Sequence, residues 1–309
     1  MIQEALQQLV RGDLLSEEQA ALVTEEIMTG EASPSQIAAF LTALRIRGES
    51  VEEITGMARV MRDKALKVIT DGDVVDVVGT GGDQASTFNI STASALVSAA
   101  CGLRVAKHGN RAASGAYGAA DILEANGVKL ELSPASVRRC IDEIGIGFMF
   151  APSFHPAMRF AGPTRRELGI RTVFNILGPL TNPAGARYQV IGVSNPDGAS
   201  QGIAVGEMVA NVLSVLGTKR SWVVRGDDGL DEITTTTTTQ VWDVQDGEVN
   251  HLTIAPEDAD LPRSALNEIQ GDSPNRFVEL FKTSLGLGES AAKNVVLMNS
   301  AAGLLVAGK

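Results

Sequence analysis

The chain has 309 residues, enough for about two domains with a sizeable core and no need of disulfide or metal staples. Its 26 Lys and Arg against 37 Asp and Glu leave a formal charge of −11, which excludes a general nucleic-acid surface, so any anion site has to be built locally from loops and a few placed cations. Its 2 cysteines, Cys101 and Cys140, match no zinc or redox spacing and no disulfide framework, which favours a reducing compartment.

The N-terminal MIQEALQQLVRGD has no basic segment followed by an apolar run, so no signal peptide is expected and the protein is expected to be cytoplasmic. Capping chemistry then writes a series of short amphipathic helices. Ser16-Glu-Glu-Gln19 is a capping box whose helix closes near Gly30, Ser33-Pro34 is an N-cap with proline in the first turn, and Ser50-Val-Glu-Glu53 is a further box. From Asp71 the pattern changes to the β-branched run Val74–Val78, a Gly/Thr/Ser loop and the helix-like Ser91–Ala100. The uncharged stretch Gln84–Leu103 is as long as a membrane span, but its many hydroxyl and amide side chains do not suit hydrocarbon. Further strands are expected at Leu103–Ala106, Phe148–Phe150, Gln189–Val193, Ser221–Val224 and Thr237–Val241, with a helix over Ala204–Leu216. Thr164-Arg-Arg-Glu167 is expected to open another helix by a capping box, before the proline-rich Gly178–Pro183. Six consecutive threonines, Thr234–Thr239, read as a β-prone strand or edge.

This alternation predicts an α/β fold: a small N-terminal all-helical domain plus a larger α/β domain with a mainly parallel central sheet. The expected division is a helical domain over residues 1–70, with a segment returning to it at about 164–186. Residues 71–163 and 187–309 form the α/β domain.

Glycine, at 32 residues, is in excess, and its most telling use is Gly79-Thr-Gly-Gly-Asp83, followed by Gln-Ala-Ser-Thr87-Phe-Asn89-Ile-Ser91-Thr92. Between a strand and a helix, glycines let backbone N–H groups approach an anion, hydroxyls add donors and the helix start adds partial positive charge, so phosphate is the expected ligand. Gln84 breaks a dinucleotide fingerprint, and the Gly-Lys-Ser/Thr of a Walker loop is absent. From Gln84 to Ala120 there are three fixed cations, Arg104, Lys107 and Arg111, and no carboxylate. A second stretch, Ile144–Leu180, holds Arg159, Arg165, Arg166 and Arg171 against Glu167 alone. Such local basicity in an acidic protein is the footprint of a small anion. After the strand Ser221–Val224, Gly226-Asp-Asp-Gly-Leu-Asp231-Glu232 places hard oxygen ligands where magnesium carried by a phosphorylated substrate would sit, although alone it reads as an Asp-Gly turn. His108 is plausible at the site, His155 beside it and His251 on the surface; none belongs to a metal motif or a nucleophilic triad.

In this order the motifs GTGGD with STFNIST, KHGNR, RRELGIRTVFNILGPLTNP and DGLDE resemble the anthranilate phosphoribosyltransferases, over nearly the whole chain. The resemblance implies transfer of the 5-phosphoribosyl group from 5-phosphoribosyl 1-diphosphate to anthranilate with Mg2+, and a homodimer built through the helical domains. It implies that Gly79, Gly82, Asp83, Thr87, Asn89, Ile90, Ser91, Thr92, Lys107, His108, Gly109, Asn110, Arg111, Ala112, Ala113, Ser114 and Gly115 hold the donor, with Ala119 where the family commonly has a donor-binding serine. Loss of that serine's hydrogen bond is expected to cost about 1 kcal/mol of donor binding. Asn110 and Arg165 would bind anthranilate, with Gly79 and His108 where the substrates meet. Ser91, Asp231 and Glu232 would hold the metal. The threonine run replaces the more usual turn residues, and the chain stops at Gly308-Lys309, earlier than the resemblance implies, so a last helical segment is expected to be missing. Two alternatives stay open at this point: a pyrimidine nucleoside phosphorylase-like enzyme sharing the glycine loop, opposed by Arg165, and a non-catalytic nucleic-acid-binding relative, opposed by the charge.

Overall fold

The computed structural model describes residues 1–112, 117–194 and 199–309. Four helices open the chain: α1 (Ile2–Val10), α2 (Glu17–Thr29), α3 (Pro34–Arg47) and α4 (Val51–Lys64). Reciprocal hydrogen bonds of Ser16 with Gln19, Ser33 with Gln36 and Ser50 with Glu53 fix the starts of the last three, satisfying N–H groups that a first turn leaves without partners. Each cap contributes about 1 kcal/mol. Glu53 also reaches outside its own helix: it accepts from the Leu15 backbone N–H at 2.8 Å and pairs with Arg47, so one buried carboxylate ties α3, α4 and the loop before α2 together.

The chain then alternates through β1 (Val75–Gly79), α5 (Ile90–Ala100), β2 (Val105–Gly109), α6 (Ala119–Ala125), α7 (Pro134–Ile144), β3 (Ile146–Phe150) and α8 (Ala151–Phe154). Helices α9 (Gly162–Leu168) and α10 (Val173–Leu180) follow, and Val173, Phe174, Leu177 and Leu180 of α10 join the apolar cluster that also holds Phe40, Ile54 and Met57 of α3 and α4. Thr164 does not cap α9 as expected. It lies buried inside the helix, whose first turn contains Pro163 and leaves no side-chain cap. The rest is β4 (Tyr188–Gly192), α11 (Ala199–Leu216), β5 (Arg220–Gly226), β6 (Thr239–Gln245), β7 (Glu248–Ile254), α12 (Pro274–Ser284) and α13 (Ala291–Val306).

Among the described residues seven strands form one sheet in the order β3-β2-β1-β4-β5-β6-β7, parallel from β3 to β5 and antiparallel at β6 and β7. The expected mainly parallel sheet is therefore present, with two differences at its far edge. Strand β7 was not expected, because Glu248, Asn250 and His251 make an exposed edge strand with little apolar signal; the readable cue is Asp246-Gly247, both at positive φ (+52° and +87°), the geometry of a tight hairpin. Of the threonine run only Thr239 belongs to a strand. Thr234, Thr236 and Thr238 instead donate hydroxyls to the Asp228 and Asp227 carboxylates, so the run is a loop that neutralises the hydrogen-bonding demand of two acids.

Candidate active site

Strand β1 has β2 on one side and β4 on the other, so the chain leaves β1 and β4 in opposite directions and opens a crevice at their carboxyl ends. The glycine loop fills one wall of it. Thr80 N–H donates to the Gly192 carbonyl at 2.9 Å, the Ser194 hydroxyl donates to the Gly81 carbonyl at 2.8 Å, and Arg171 grips that same carbonyl at 2.6 Å. Gly79 and Gly192 flank Asp231 so closely that a Cβ on either would run into it, which is why neither position accepts a side chain. Beyond Gly82, Gln84 and Ser86 sit at φ +60° and +54°, a region that L residues seldom adopt. A strap holds them there: Gly271 N–H donates to Ser86 O at 2.9 Å, Gln270 Nε2 to Ala85 O at 2.8 Å and Phe88 N–H to Ile269 O at 3.2 Å.

Charge in the crevice is sharply partitioned. The Asp231 carboxylate accepts from Gly81 N–H at 2.6 Å and Glu232 from Ser91 N–H at 3.1 Å, at the start of α5. Burial, with the neighbouring Asp83 carboxylate, pushes Asp231 up to about 7, and burial beside Asp231 raises Glu232 well above the usual range. Lys107 is buried, donating to Val77 O at 2.7 Å and to Ser91 Oγ at 3.3 Å; burial lowers its pKa, opposed by Asp76 and Glu232. The Asn89 Oδ1 and Thr92 Oγ1 atoms are buried with no partner, open positions at the same helix start. Thus the structure brings Gly79, Asp83, Ser91, Lys107, Asp231 and Glu232 together, with Ile90 and Thr92 behind them in the first turn of α5. Among the described residues no three His, Cys, Asp or Glu side chains form a ready cage for an ion, so a divalent cation here would bring oxygens of its own.

A second wall carries Arg165 and two imidazoles. Arg165 packs its guanidinium over the Phe174 ring at 5.0 Å, burial lowers its pKa, and among the described residues no carboxylate pairs with it. His108 and His155 are buried with ring centroids 5.0 Å apart, each with an unpartnered Nε2. Burial takes His108 down to about 3 and His155 to about 4, so both are neutral imidazoles. His251 is exposed and stacks on Trp242.

Other expected residues have local partners of their own. The Arg111 guanidinium is exposed and pairs with Asp121 and Glu124, and Arg104 pairs with Asp142; of the three cations between Gln84 and Ala120, only Lys107 faces the crevice. Asn110 is exposed and its Oδ1 accepts from Arg111 N–H, while Ala112 N–H donates to Asp121. Thr87 makes a bridge with Gln270 in the strap, and Ala119 opens α6 beside Gly109. Ala113, Ser114 and Gly115 lie outside the described residues. Asp76 and Asn182, which touch the same network, were not expected; a lone carboxylate inside the apolar run Val74–Val78 is the signal that marks the first of them.

A helical bundle joined to an α/β sheet, with a glycine loop and paired acids at the switch point, is the plan of a glycosyltransferase class. Accordingly residues 3–65 match the model of the "Glycosyl transferase family, helical bundle domain" and residues 71–309 that of the "Glycosyl transferase family, a/b domain". Within that class the chain belongs to the anthranilate phosphoribosyltransferase family. The anthranilate phosphoribosyltransferase of Chloroflexus aggregans is 53% identical over 306 residues, 98% of this chain and 88% of the relative. That of Dehalococcoides mccartyi is 47% identical over 311 residues, 100% of this chain and 89% of the relative. Among solved structures, the enzyme of Thermus thermophilus superposes with a TM-score of 0.90 at 42% identity, covering 98% of this chain and 89% of that one. The Saccharomyces cerevisiae enzyme in complex with PRPP and Mg superposes at 0.86 with 25% identity, over 99% of this chain and 89% of that one.

Proposed function

We propose that this chain transfers the 5-phosphoribosyl group of 5-phosphoribosyl 1-diphosphate to the amino group of anthranilate, releasing diphosphate, as in the second step of tryptophan biosynthesis from chorismate. One observation carries the reading: the segment bearing the half-buried Arg165, which no carboxylate pairs among the described residues, reaches the glycine loop through Arg171, so an organic carboxylate and a phosphate find their partners in one crevice. Gly79, Gly82, Asp83, Thr87, Asn89 to Thr92, Lys107 and Gly109 are assigned to the donor. Arg165, His108, Gly79 and Asn110 are assigned to anthranilate.

The amine is already a nucleophile, so the chain's task is to place it against the anomeric carbon and to steady the departing charge. Arg165 holds the carboxylate in a bidentate grip, and the neutral His108 can accept a hydrogen bond without repelling a positive charge developing on the ribose. Lys107, beside the Ser91 hydroxyl at the start of α5, is the cation assigned to the phosphates. Asp231 and Glu232, with Ser91, fit magnesium because burial beside one another disfavours their ionised forms until a cation is added, Lys107 opposing this only in part. When bound, the ion would neutralise the leaving diphosphate.

The partners of this reading are the two small molecules, and it includes no nucleic acid. It includes a cytoplasmic homodimer joined through the helical part, a helical domain of residues 1–70 with the segment at about 164–186, and an α/β domain from the remainder. Exposed Val10, Leu14 and Ile46 on and beside α1 and α3 support the dimer, and among the described residues no helix is long and apolar enough to cross a membrane. Anthranilate fluorescence, followed with donor and magnesium, tests the activity. Steady loss of signal is expected; pure folded protein without turnover would overturn the reading, and phosphorolysis of thymidine or uridine would favour the phosphorylase alternative.

A further inference from the structure

At the end of α10 two successive backbone carbonyls are each taken by a side chain from a different part of the molecule. Gln189 Nε2 of β4 donates to Pro179 O at 3.1 Å and Arg62 Nε of α4 to Leu180 O at 2.7 Å, while the His108 and His155 rings lie against the backbone at Gly178 and Thr181. A helix end leaves such carbonyls without partners in a following turn; Gly178 O is closed locally by the Thr181 N–H and hydroxyl. The next residue, Asn182, is buried. Its Nδ2 donates to Asp76 Oδ2 at 2.7 Å and to Ala106 O at 2.8 Å, and its Oδ1 accepts from Ala184 N–H at 2.8 Å.

Asp76 is fully buried in β1 among Val74, Val75 and Val77, and its other oxygen faces the His108 backbone N–H at 3.3 Å. A carboxylate in such a place is costly, and an apolar residue would pack there without that penalty. What it gains is a double attachment. One side chain touches the backbone of His108 and also the residue at which the segment carrying Arg165 rejoins the sheet. Asn182 lies one residue beyond the Thr181 that ends α10, and α10 supplies the Phe174 ring under the Arg165 guanidinium. We propose that Asp76 and Asn182 are positioning residues for the aromatic acceptor, setting the spacing between His108 and Arg165 by pinning α10 to the first strand. The inference rests on the assignment of anthranilate to these residues under Proposed function. Burial raises Asp76 to about 6 while Lys107 and Asn182 hold it down, in keeping with a carboxylate retained for its contacts.

Steady-state kinetics of the full chain with both substrates tests this. Asn182→Ala is expected to raise the anthranilate KM about tenfold and to leave the donor KM within about twofold, since only the acceptor wall is released. Asp76→Asn is expected to raise both, because it also removes the carboxylate opposite Lys107. Combining the two should raise the anthranilate KM no further than the larger single effect, the signature of one coupled unit. Phe174→Leu, which leaves the Asp76–Asn182 pair intact, is expected to raise the anthranilate KM selectively as well, and serves if the Asn182 variant does not fold. Equal rises in both KM values for Asn182→Ala, or a fall in Tm with both unchanged, overturns the positioning role, as does an unchanged anthranilate KM in Phe174→Leu. Wild-type protein without turnover would instead overturn the functional reading, and the positioning role with it.

Discussion

Arg165 and Asp231 show how single residues acquire chemistry from their surroundings. A half-buried guanidinium stacked on Phe174 has its donors poised for a planar anion. Arg165→Lys is therefore expected to raise the anthranilate KM by about 10- to 100-fold with a smaller change in kcat, measured by steady-state fluorescence, since lysine offers a point charge in place of a fork. For Asp231 and Glu232 the sign of the pH dependence follows from their raised values. A carboxylate favoured as the acid in the folded state contributes stability below its ordinary range, and that contribution is lost as the pH rises through about 7 for Asp231. A divalent cation binds only the ionised pair. Magnesium should thus raise Tm more at about pH 8 than at about pH 5.5, and equal shifts at the two values would refute the metal assignment. The run of carboxylates was legible in the sequence by itself; it was the family resemblance that singled out Asp231 and Glu232 within it. Asp227 and Asp228 are consumed by the threonine hydroxyls, and that division depends on a loop closing back from β6.

Elements are legible where their ends carry local chemistry. The capping boxes at Ser16, Ser33 and Ser50 fixed three helices because both partners of each bond lie within four residues. The same logic failed at Thr164, where a proline and the apolar surroundings of α9 set the helix start and the threonine is buried instead. Strand β2 runs on through Lys107 and His108, beyond its expected end, because those polar side chains are held by β1 and by the end of α10, elements distant in sequence. Two predictions belong to this scale. Gln270→Ala removes the bond to Ala85 and loosens the strained Gln84–Ser86 turn, so the donor KM should rise about fivefold while the anthranilate KM holds, measured with each substrate varied in turn. Asp228→Ala should lower Tm by about 2–6 °C, read by calorimetry, without altering the magnesium dependence of the rate, which separates the structural acids from Asp231 and Glu232.

Across the molecule the helical part and the sheet share one apolar cluster, from Phe40, Ile54 and Met57 through Phe174 and Leu177 to Val209 and Leu213 of α11. Apolar packing of that kind has no direction and leaves the two parts free to slide by small amounts. The polar grip on α10, including the half-buried Arg62 of α4 on Leu180, supplies the missing direction. Arg62→Leu should cost about 1–3 kcal/mol in urea unfolding because it leaves the Leu180 carbonyl without that donor; a loss below about 0.5 kcal/mol would show that the grip contributes little. By itself the sequence determined what is encoded over short spans: three of the caps, the alternation of the parallel strands with helices, the glycine loop and the sign of the local charge. The tertiary structure decided which cations face the crevice, which acids stay unpaired, and that Asp76 and Asn182, 106 residues apart, meet beneath the site. Those outcomes turn on burial and on partners brought together by the parallel crossovers, and no local pattern records who will be buried beside whom.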